Sequence, residues 1–248
     1  MQPYKTDPPI AVLYFCPRLG FEHVPWEAFM TQVLAMGYDG IELGVPASID
    51  ERTLDQIWEC AWRRSVQLIL RHSDTGSADF NEHYDQYGAW WERIKCYPCV
   101  NVISDTDRDR FSVEQNRALI ALAGPETVQA IHRERFSYSP RVTCEYLLAD
   151  PDLRLSFDIS QWIDGTGSCL DDQIEAVDLA IERSGHIEAC SGFPEAQEIY
   201  LDYWKRIARR YLGQGEPEPL TISTGSVDLL QRLKTDLAPG KLSLVESR

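Results

Sequence analysis

The stretch from residue 153 to residue 192, LRLSFDISQWIDGTGSCLDDQIEAVDLAIERSGHIEACSG, contains the pattern that decides the fold. Its opening run, LRLSFDIS, and its closing run, HIEACSG, are short and β-rich, as strands are. The segment LDDQIEAVDLAIERSG between them places apolar residues three and four positions apart, which is the period of an amphipathic helix. A strand, a helix and a second strand in this order predict one unit of an α/β fold.

The same alternation repeats along the whole chain of 248 residues. Short β-rich runs begin near residues 9, 38, 66, 99, 128, 153, 186 and 219, and segments such as VPWEAFMTQVLAMG and DERTLDQIWECAWRRS separate them with a helical pattern. Eight such units predict a (β/α)8 TIM barrel, and no shift in composition marks a second domain, so residues 1–248 are expected to form one domain. A doubly wound open sheet is the alternative, but CPRLGFEHVP follows the first strand instead of a glycine-rich phosphate loop.

The composition is that of a soluble globular protein, with 44% hydrophobic and 25% charged residues. The chain has 39 acidic and 24 basic residues, and the resulting charge of −15 would repel nucleic acid and an anionic membrane surface. No apolar run approaches the ~20 residues of a membrane span, and the start of the chain lacks the pattern of a secretory signal. We therefore expect a cytoplasmic protein with no nucleic-acid partner and no membrane partner.

The seven cysteines are scattered and odd in number, which suits a reducing compartment better than a disulfide framework. Cys96 and Cys99 have the spacing of a redox site or of half a zinc site, but no second pair completes a four-thiolate site. Most of the cysteines are therefore expected to fill the core.

In a TIM barrel, the active site lies at the carboxyl ends of the strands, so polar residues late in each strand are the candidates. Alternation along a strand then assigns each side chain to the inner or the outer face. On this basis Ser156 and Asp158 face the interior, and so do His186 and Glu188. The mouth is expected to gather Glu42, His72, Asp74, Asn101, His132, Asp158 and Glu188, with Arg133 just beyond them.

Two further features bear on the ligand. Trp162 directly follows strand six and is expected to line the mouth, whereas the other tryptophans lie in helical segments or near them. Apart from Arg133 and Arg135, the basic residues near the rim are Arg108 and Arg110, which stand among aspartates that could pair with them. The sequence therefore contains no evident cluster for a phosphate group.

Several segments carry a family resemblance: GYDGIEL, VNVIS, HRERFSYSPRVTCEYLLADPDLRLSFDISQW, HIEACSGFPE and TISTGS. In this order they resemble the strand motifs of the sugar phosphate isomerase/epimerase family, whose members have a xylose-isomerase-like barrel. The resemblance covers most of the chain and is strongest over residues 132–162 and 186–195.

The resemblance implies one divalent metal, Mn, Mg or Zn, held by a glutamate of strand five, an aspartate of strand six, a histidine of strand seven and a glutamate of strand eight. Of these positions, the strand-five glutamate corresponds to Ala130 and the strand-eight glutamate to Ser223. Asp158 is retained, while the histidine that follows it in relatives is Gln161. In strand seven the first histidine remains as His186.

Two other changes concern histidines of the motifs. The second histidine of strand seven is Glu188, and the usual histidine of strand four is Ile103. The chain therefore resembles a divergent member of the family in which most metal-ligand positions are replaced.

Three hypotheses follow. The first is an enzyme that isomerises, epimerises, dehydrates or cyclises a small carbonyl or hydroxy compound without the family metal, with His132, Asp158 and Glu188 moving protons. The residues then expected to bind the substrate are Glu42, His72, Asp74, Asn101, Arg133, Gln161, Trp162 and His186.

The second hypothesis keeps a divalent metal through a rebuilt ligand set of His72, Asp74, Asp158 and Glu188. The third is a catalytically inactive protein that binds a small molecule in the inherited pocket. In each case the partner is a small molecule, and a homodimer is an open alternative.

Overall fold

The computed structural model describes residues 11–15, 25–73, 76–124, 127–130, 139–158, 162, 174–188, 220–224, 231 and 235. Within them, parallel strands β1 to β8 form a closed barrel in sequence order, with β8 paired to β1. The strands are β1 Ala11–Phe15, β2 Gly40–Val45, β3 Gln67–His72, β4 Asn101–Ser104, β5 Val128–Ala130, β6 Arg154–Asp158, β7 Ser184–Glu188 and β8 Leu220–Thr224. The predicted (β/α)8 barrel is thus confirmed, and each strand begins within two residues of its predicted start.

Helices separate most of these strands in the described ranges. They are α1 Trp26–Ala35, α2 Glu51–Arg64, α3 Phe80–Ile94, α4 Val113–Ala123, α5 Pro140–Ala149 and α6 Ile174–Glu182. Helix α2 begins where the Asp50 carboxylate accepts a hydrogen bond from the Thr53 amide at 2.9 Å. Helix α4 begins with a capping box, in which the side chains of Ser112 and Gln115 each bond the other residue's amide.

Two apolar layers follow from the alternation of side chains along the strands. The outer layer packs the strands against the helices and includes Ile41, Leu43, Val45, Leu68, Leu70, Val102, Leu155, Phe157 and Ile187. The inner layer is a small cluster inside the barrel, formed by Ile69, Ile103, Val128 and Ala130. Each inner residue lies two positions from the next inward-facing residue on its strand. The register between the strands therefore determines which side chains lie together inside the barrel.

The loop between β4 and α4 is buried although it is polar. Arg108 is 2% exposed, and its Nη1 donates to the carbonyl oxygens of Asp105 and Asp107 at 3.0 and 2.7 Å. Asn116 of α4 accepts from the Arg108 amide at 2.8 Å and donates to the Arg108 carbonyl at 2.9 Å. The loop is therefore held by its own hydrogen bonds rather than by apolar packing.

Helix α3 carries a buried histidine, His83, which is 1% exposed. Its Nε2 lies 2.8 Å from the Thr106 carbonyl oxygen and must donate to it, so Nδ1 is unprotonated in the neutral ring. Burial lowers the pKa of His83 to about 4. The hydrogen bond to the Thr106 carbonyl raises this pKa and the charge of Arg108 lowers it, but both effects are smaller than that of burial. The folded protein therefore keeps this ring neutral at mildly acidic pH.

We expect His83 to make stability depend on pH. The unfolded chain binds a proton at this residue near pH 6.5, whereas the folded chain binds one only near pH 4. The contribution of neutral His83 to the free energy of unfolding is therefore complete above pH 6.5 and is lost as the pH falls towards 4. A His83→Gln variant keeps a donor for Thr106 but does not titrate. The difference in free energy of unfolding between wild type and this variant should shrink by about 2 kcal/mol from pH 7 to pH 5, measured by urea unfolding. An unchanged difference would refute this assignment.

No helix in the described part of the chain combines the length and the apolar character that a membrane crossing requires.

Candidate active site

An arginine crosses the interior of the barrel and joins two carboxylates on strands that are not neighbours. Arg71 of β3 donates from Nε to Glu42 Oε1 of β2 at 2.8 Å, and from Nη2 to Glu188 Oε1 of β7. Both contacts are ion pairs. A planar guanidinium presents several donors at fixed angles, which lets one side chain serve both carboxylates at once.

Two more side chains extend this network. His186 of β7 places Nε2 at 3.1 Å from Glu42 Oε2, and Ser156 of β6 donates from Oγ to Glu188 Oε1 at 3.3 Å. Glu42 and His186 are 1% and 0% exposed, whereas the side chains of Arg71 and Glu188 are 16% and 15% exposed. The network therefore has a fully buried pair, Glu42 with His186, and a pair that solvent can reach, Arg71 with Glu188.

The electrostatics of the interior favour a permanent cation at Arg71. Burial disfavours its charged form, but the carboxylates of Glu188 and Glu42 outweigh that effect and raise the pKa of Arg71 above its usual range. Asp158 of β6 lies in register with Glu188 and is 4% exposed. Three carboxylates and one guanidinium leave the described interior with an excess of negative charge when the carboxyl groups are ionised.

The opposite wall of the interior is apolar. Ala130 of β5 is fully buried in the inner cluster with Ile69, Ile103 and Val128. In register, Ala130 neighbours Ser156. The interior thus combines polar groups from β2, β3, β6 and β7 with aliphatic side chains from β3, β4 and β5.

The structure places four predicted residues on the inner face: Glu42, Asp158, His186 and Glu188. Their neighbours Leu155, Phe157 and Ile187 belong to the outer layer, as alternation requires. Three of the four take part in the network around Arg71. The roles in catalysis and substrate binding stay predictions.

Asn101 also faces the interior, but at the amino end of β4. It lies in register with Ile69, and its Nδ2 donates to the Gly185 carbonyl oxygen of β7 at 3.3 Å. Asn101 therefore links β4 and β7 near the amino ends of the strands, whereas barrel active sites lie at the carboxyl ends. Its predicted position at the mouth is therefore corrected.

His72 was expected at the mouth and instead faces the helices. Its ring makes edge contacts with Tyr87 and Trp90 of α3, with centroids 5.3 and 5.0 Å apart, and its Nδ1 lies 3.1 Å from the Asp105 carbonyl oxygen. The prediction assigned β3 to the wrong face. Arg71, the preceding residue, is the one that points inwards.

The prediction that Trp162 lines the mouth is also corrected. The ring is fully buried, packs edge-on against Phe157 of the outer layer at 5.3 Å between centroids, and belongs to the core between strands and helices. A tryptophan directly after a strand can be buried in the core or can line a ligand site, because its ring is amphipathic. Its position in the sequence did not distinguish these two locations.

Four predicted residues lie outside the described residues: Asp74, His132, Arg133 and Gln161. The predicted proton-transfer role of His132 and the rebuilt metal site with Asp74 stay predictions for that reason.

Arg71 is the functional candidate that the sequence reasoning missed. In QLILRH the residues Leu68, Ile69 and Leu70 are all apolar, so alternation alone does not tell which face is inward. A charged residue near the carboxyl end of an otherwise apolar strand is the signal that could have identified Arg71, because barrel active sites lie at that end.

The donors that the family resemblance implies for a metal do not fit one here. Ala130 has no ligating atom and is packed in the inner cluster, and Nε2 of His186 contacts Glu42. Ser223 lies in register with Glu188, where a glutamate would be required. Among the described residues no group of three or more His, Cys, Asp or Glu side chains could hold a metal ion.

The rim arginines that the sequence left open for a phosphate group are engaged elsewhere. Arg108 bonds the backbone of its own loop, and Arg110 donates to the Ser77 carbonyl oxygen at 2.6 Å while lying over the Phe111 ring. Neither side chain is arranged as part of a phosphate cradle.

Cys99 of the predicted cysteine pair lies in an environment that disfavours its thiolate. Burial raises the pKa of the Cys99 thiol to about 11, so it stays protonated at neutral pH, whereas reactive thiols have lowered values. Both cysteines are free.

Two solved structures that match this chain over most of its length are sugar epimerases. A D-allulose 3-epimerase from Methylomonas sp. matches with a TM-score of 0.61 at 12% sequence identity, over 97% of this chain and 98% of the other. A D-psicose 3-epimerase from Clostridium cellulolyticum H10, solved with D-tagatose, matches with a TM-score of 0.51 at 10% identity, over 95% and 96% of the two chains. The chain shares their (β/α)8 barrel fold. No protein-family model matches the sequence, and no curated protein matches it.

Proposed function

We propose that this chain is an enzyme that moves a proton on a small, uncharged hydroxy-carbonyl compound, as isomerases and epimerases of sugars do. The observation that carries the proposal is the solvent-reachable pair of Arg71 and Glu188 inside the barrel. The neighbours named as 3-epimerases of D-allulose and D-psicose support it, because those sugars are uncharged hydroxy-carbonyl compounds.

The chemistry needs a base and a positive charge. Removing a proton from the carbon beside a carbonyl group leaves an enediolate, whose negative oxygen must be stabilised. Both contacts of Glu188 use Oε1, and no described residue engages its Oε2, which suits Glu188 to take the proton. The adjacent Arg71 carries a permanent charge that can stabilise the enediolate oxygen.

Asp158 is the second proton-transfer group of the proposal. It neighbours Glu188 in register on β6, so two carboxylates from adjacent strands can serve one substrate carbon. Isomerisation needs a proton returned to a neighbouring carbon, and epimerisation needs one returned to the opposite face. His132, which lies outside the described residues, is the alternative donor in this proposal.

The charge of the site supports an uncharged substrate. Glu42, Asp158 and Glu188 outnumber Arg71 among the described charges of the interior, and a phosphate dianion would be repelled. Hydroxyl groups of an uncharged compound can donate to these carboxylates, while the aliphatic wall with Ile103 can contact its carbon chain.

Hydrogen exchange tests the proposal even when the reaction product is not identified. The protein is incubated in D2O with a panel of free ketoses and small hydroxyketones, and deuterium incorporation beside the carbonyl is followed by NMR. We expect exchange with at least one compound, and a loss of about 10²–10⁴-fold in Glu188→Gln and Asp158→Asn.

Glu145→Gln is the matched control, because Glu145 lies on the outer surface of α5, 60% exposed. It should leave the exchange rate unchanged. If the panel shows binding by ligand-detected NMR but no exchange in the wild type, the protein is a binding protein without this activity.

A further inference from the structure

We propose that the Arg71 guanidinium is the resident cation of this barrel: it occupies the point at which the carboxylates of Glu42 and Glu188 converge, where a divalent metal could otherwise bind, and its Nη1 edge binds an oxygen of an uncharged ligand. The inference about the metal is independent of the proposed function, whereas the inference about the ligand rests on it.

The first step is the convergence of two carboxylates on one centre. Glu42 Oε1 and Glu188 Oε1 each accept from the same guanidinium, although they come from β2 and β7. Carboxylate oxygens gathered around one point are what a hard divalent cation also requires. Arg71 fills that point with a charge that does not depend on the availability of a metal.

The second step is the engagement of the remaining donors. Glu42 is 1% exposed, and its other oxygen, Oε2, lies 3.1 Å from His186 Nε2. A metal could reach Glu42 only by displacing the Arg71 guanidinium from Oε1 or the His186 ring from Oε2. Displacing Arg71 would leave an arginine charge in the interior without its two partners, which opposes metal entry.

The third step is the open edge of the guanidinium. Arg71 uses Nε and Nη2 for its carboxylates, and no acceptor among the described residues engages Nη1. The register neighbour of Arg71 on β2 is Gly44, which is exposed and has no side chain to cover this edge. A carbonyl or hydroxyl oxygen of the ligand can therefore accept from Nη1, and the bond strengthens as that oxygen gains negative charge.

Titration with MnCl2 tests the cation assignment. Metal-free wild type, Arg71→Ala and Arg71→Lys are titrated with Mn²⁺ and followed by calorimetry and by the electron paramagnetic resonance signal of free Mn²⁺. We expect no stoichiometric binding to the wild type, whereas Arg71→Ala, with its carboxylates released, gains at least a tenfold higher Mn²⁺ affinity. Arg71→Lys keeps a cation at the site and should stay close to the wild type.

The assignment remains testable if Arg71→Ala is poorly folded. Mn²⁺ should then raise the melting temperature of that variant and not that of the wild type, because binding to the folded state stabilises it. Stoichiometric Mn²⁺ uptake by the wild type, or equal affinities of wild type and Arg71→Ala with no Mn²⁺-dependent change in melting, would overturn the assignment.

The ligand part is tested on a compound that shows exchange. Arg71→Lys should lower kcat/KM by at least tenfold while Mn²⁺ binding stays absent, since the three donors of a lysine share one nitrogen and lack the fixed planar geometry that places the Nη1 edge of arginine towards the ligand. An unchanged kcat/KM would overturn it. A wild type without any exchange would refute the proposed function and with it the ligand part, whereas the Mn²⁺ titration would still decide whether Arg71 is the resident cation.

Discussion

Replacing Arg71 by methionine is expected to lower the free energy of unfolding by about 3–5 kcal/mol, the range for removing one partner of a buried ion pair. Methionine replaces the aliphatic part of arginine but carries no charge, so Glu42 and Glu188 would face each other across the barrel interior without their shared cation. Glu42 is 1% exposed and cannot turn to water. Urea unfolding followed by tryptophan fluorescence at pH 7 measures the change.

The same substitution at the surface is the control. Arg141 and Glu145 of α5 form an ion pair at 3.0 Å with 87% and 60% of their side chains exposed. Water solvates both groups there, so Arg141→Met should change stability by less than about 1 kcal/mol. If the two variants lose similar amounts, the network around Arg71 does not stabilise the barrel.

Replacing Ala130 by glutamate is expected to lower the free energy of unfolding by more than about 4 kcal/mol or to prevent folding. The change restores the residue type that the family resemblance implies for a metal ligand on strand five. Ala130 is fully buried against Ile69, Ile103 and Val128, and those side chains offer no partner to a carboxylate. Thermal melting and the yield of soluble protein, each with and without Mn²⁺, measure the effect.

Ala130→Val separates charge from size at this position. Valine adds volume without charge, so it should cost about 1–3 kcal/mol through overpacking. We expect Mn²⁺ not to rescue Ala130→Glu, because Arg71 still holds the carboxylates of Glu42 and Glu188. Recovery of Ala130→Glu by Mn²⁺ would show that a metal site can form beside Arg71.

Much of the architecture could be predicted because its signals are local. The eight strand starts follow from β-rich runs between helical patterns, and the helix starts at Asp50 and Ser112 follow from side chains that bond amides three residues away. The inward faces of β6 and β7 could also be predicted, since polar Ser156, Asp158 and His186 alternate with apolar neighbours.

The prediction of which face of a strand points inwards failed where the alternation of polar and apolar residues was ambiguous. In β3 both faces carry apolar residues, so alternation did not show that the predicted inward position of His72 was wrong. The packing of Tyr87 and Trp90 against His72 places that ring on the helix side. Trp162 was misplaced for a similar reason, because burial against Phe157 depends on the helix layer rather than on the strand that precedes it.

The sequence by itself determined the barrel and the inward positions of the carboxylates Asp158 and Glu188. Only the tertiary structure decided that Glu42 and Glu188 share one arginine, since these residues are 146 positions apart and meet only when the barrel closes. Closure brings β2, β3, β6 and β7 around one interior. There, burial makes an unpaired charge costly, so the carboxylates and Arg71 are held together.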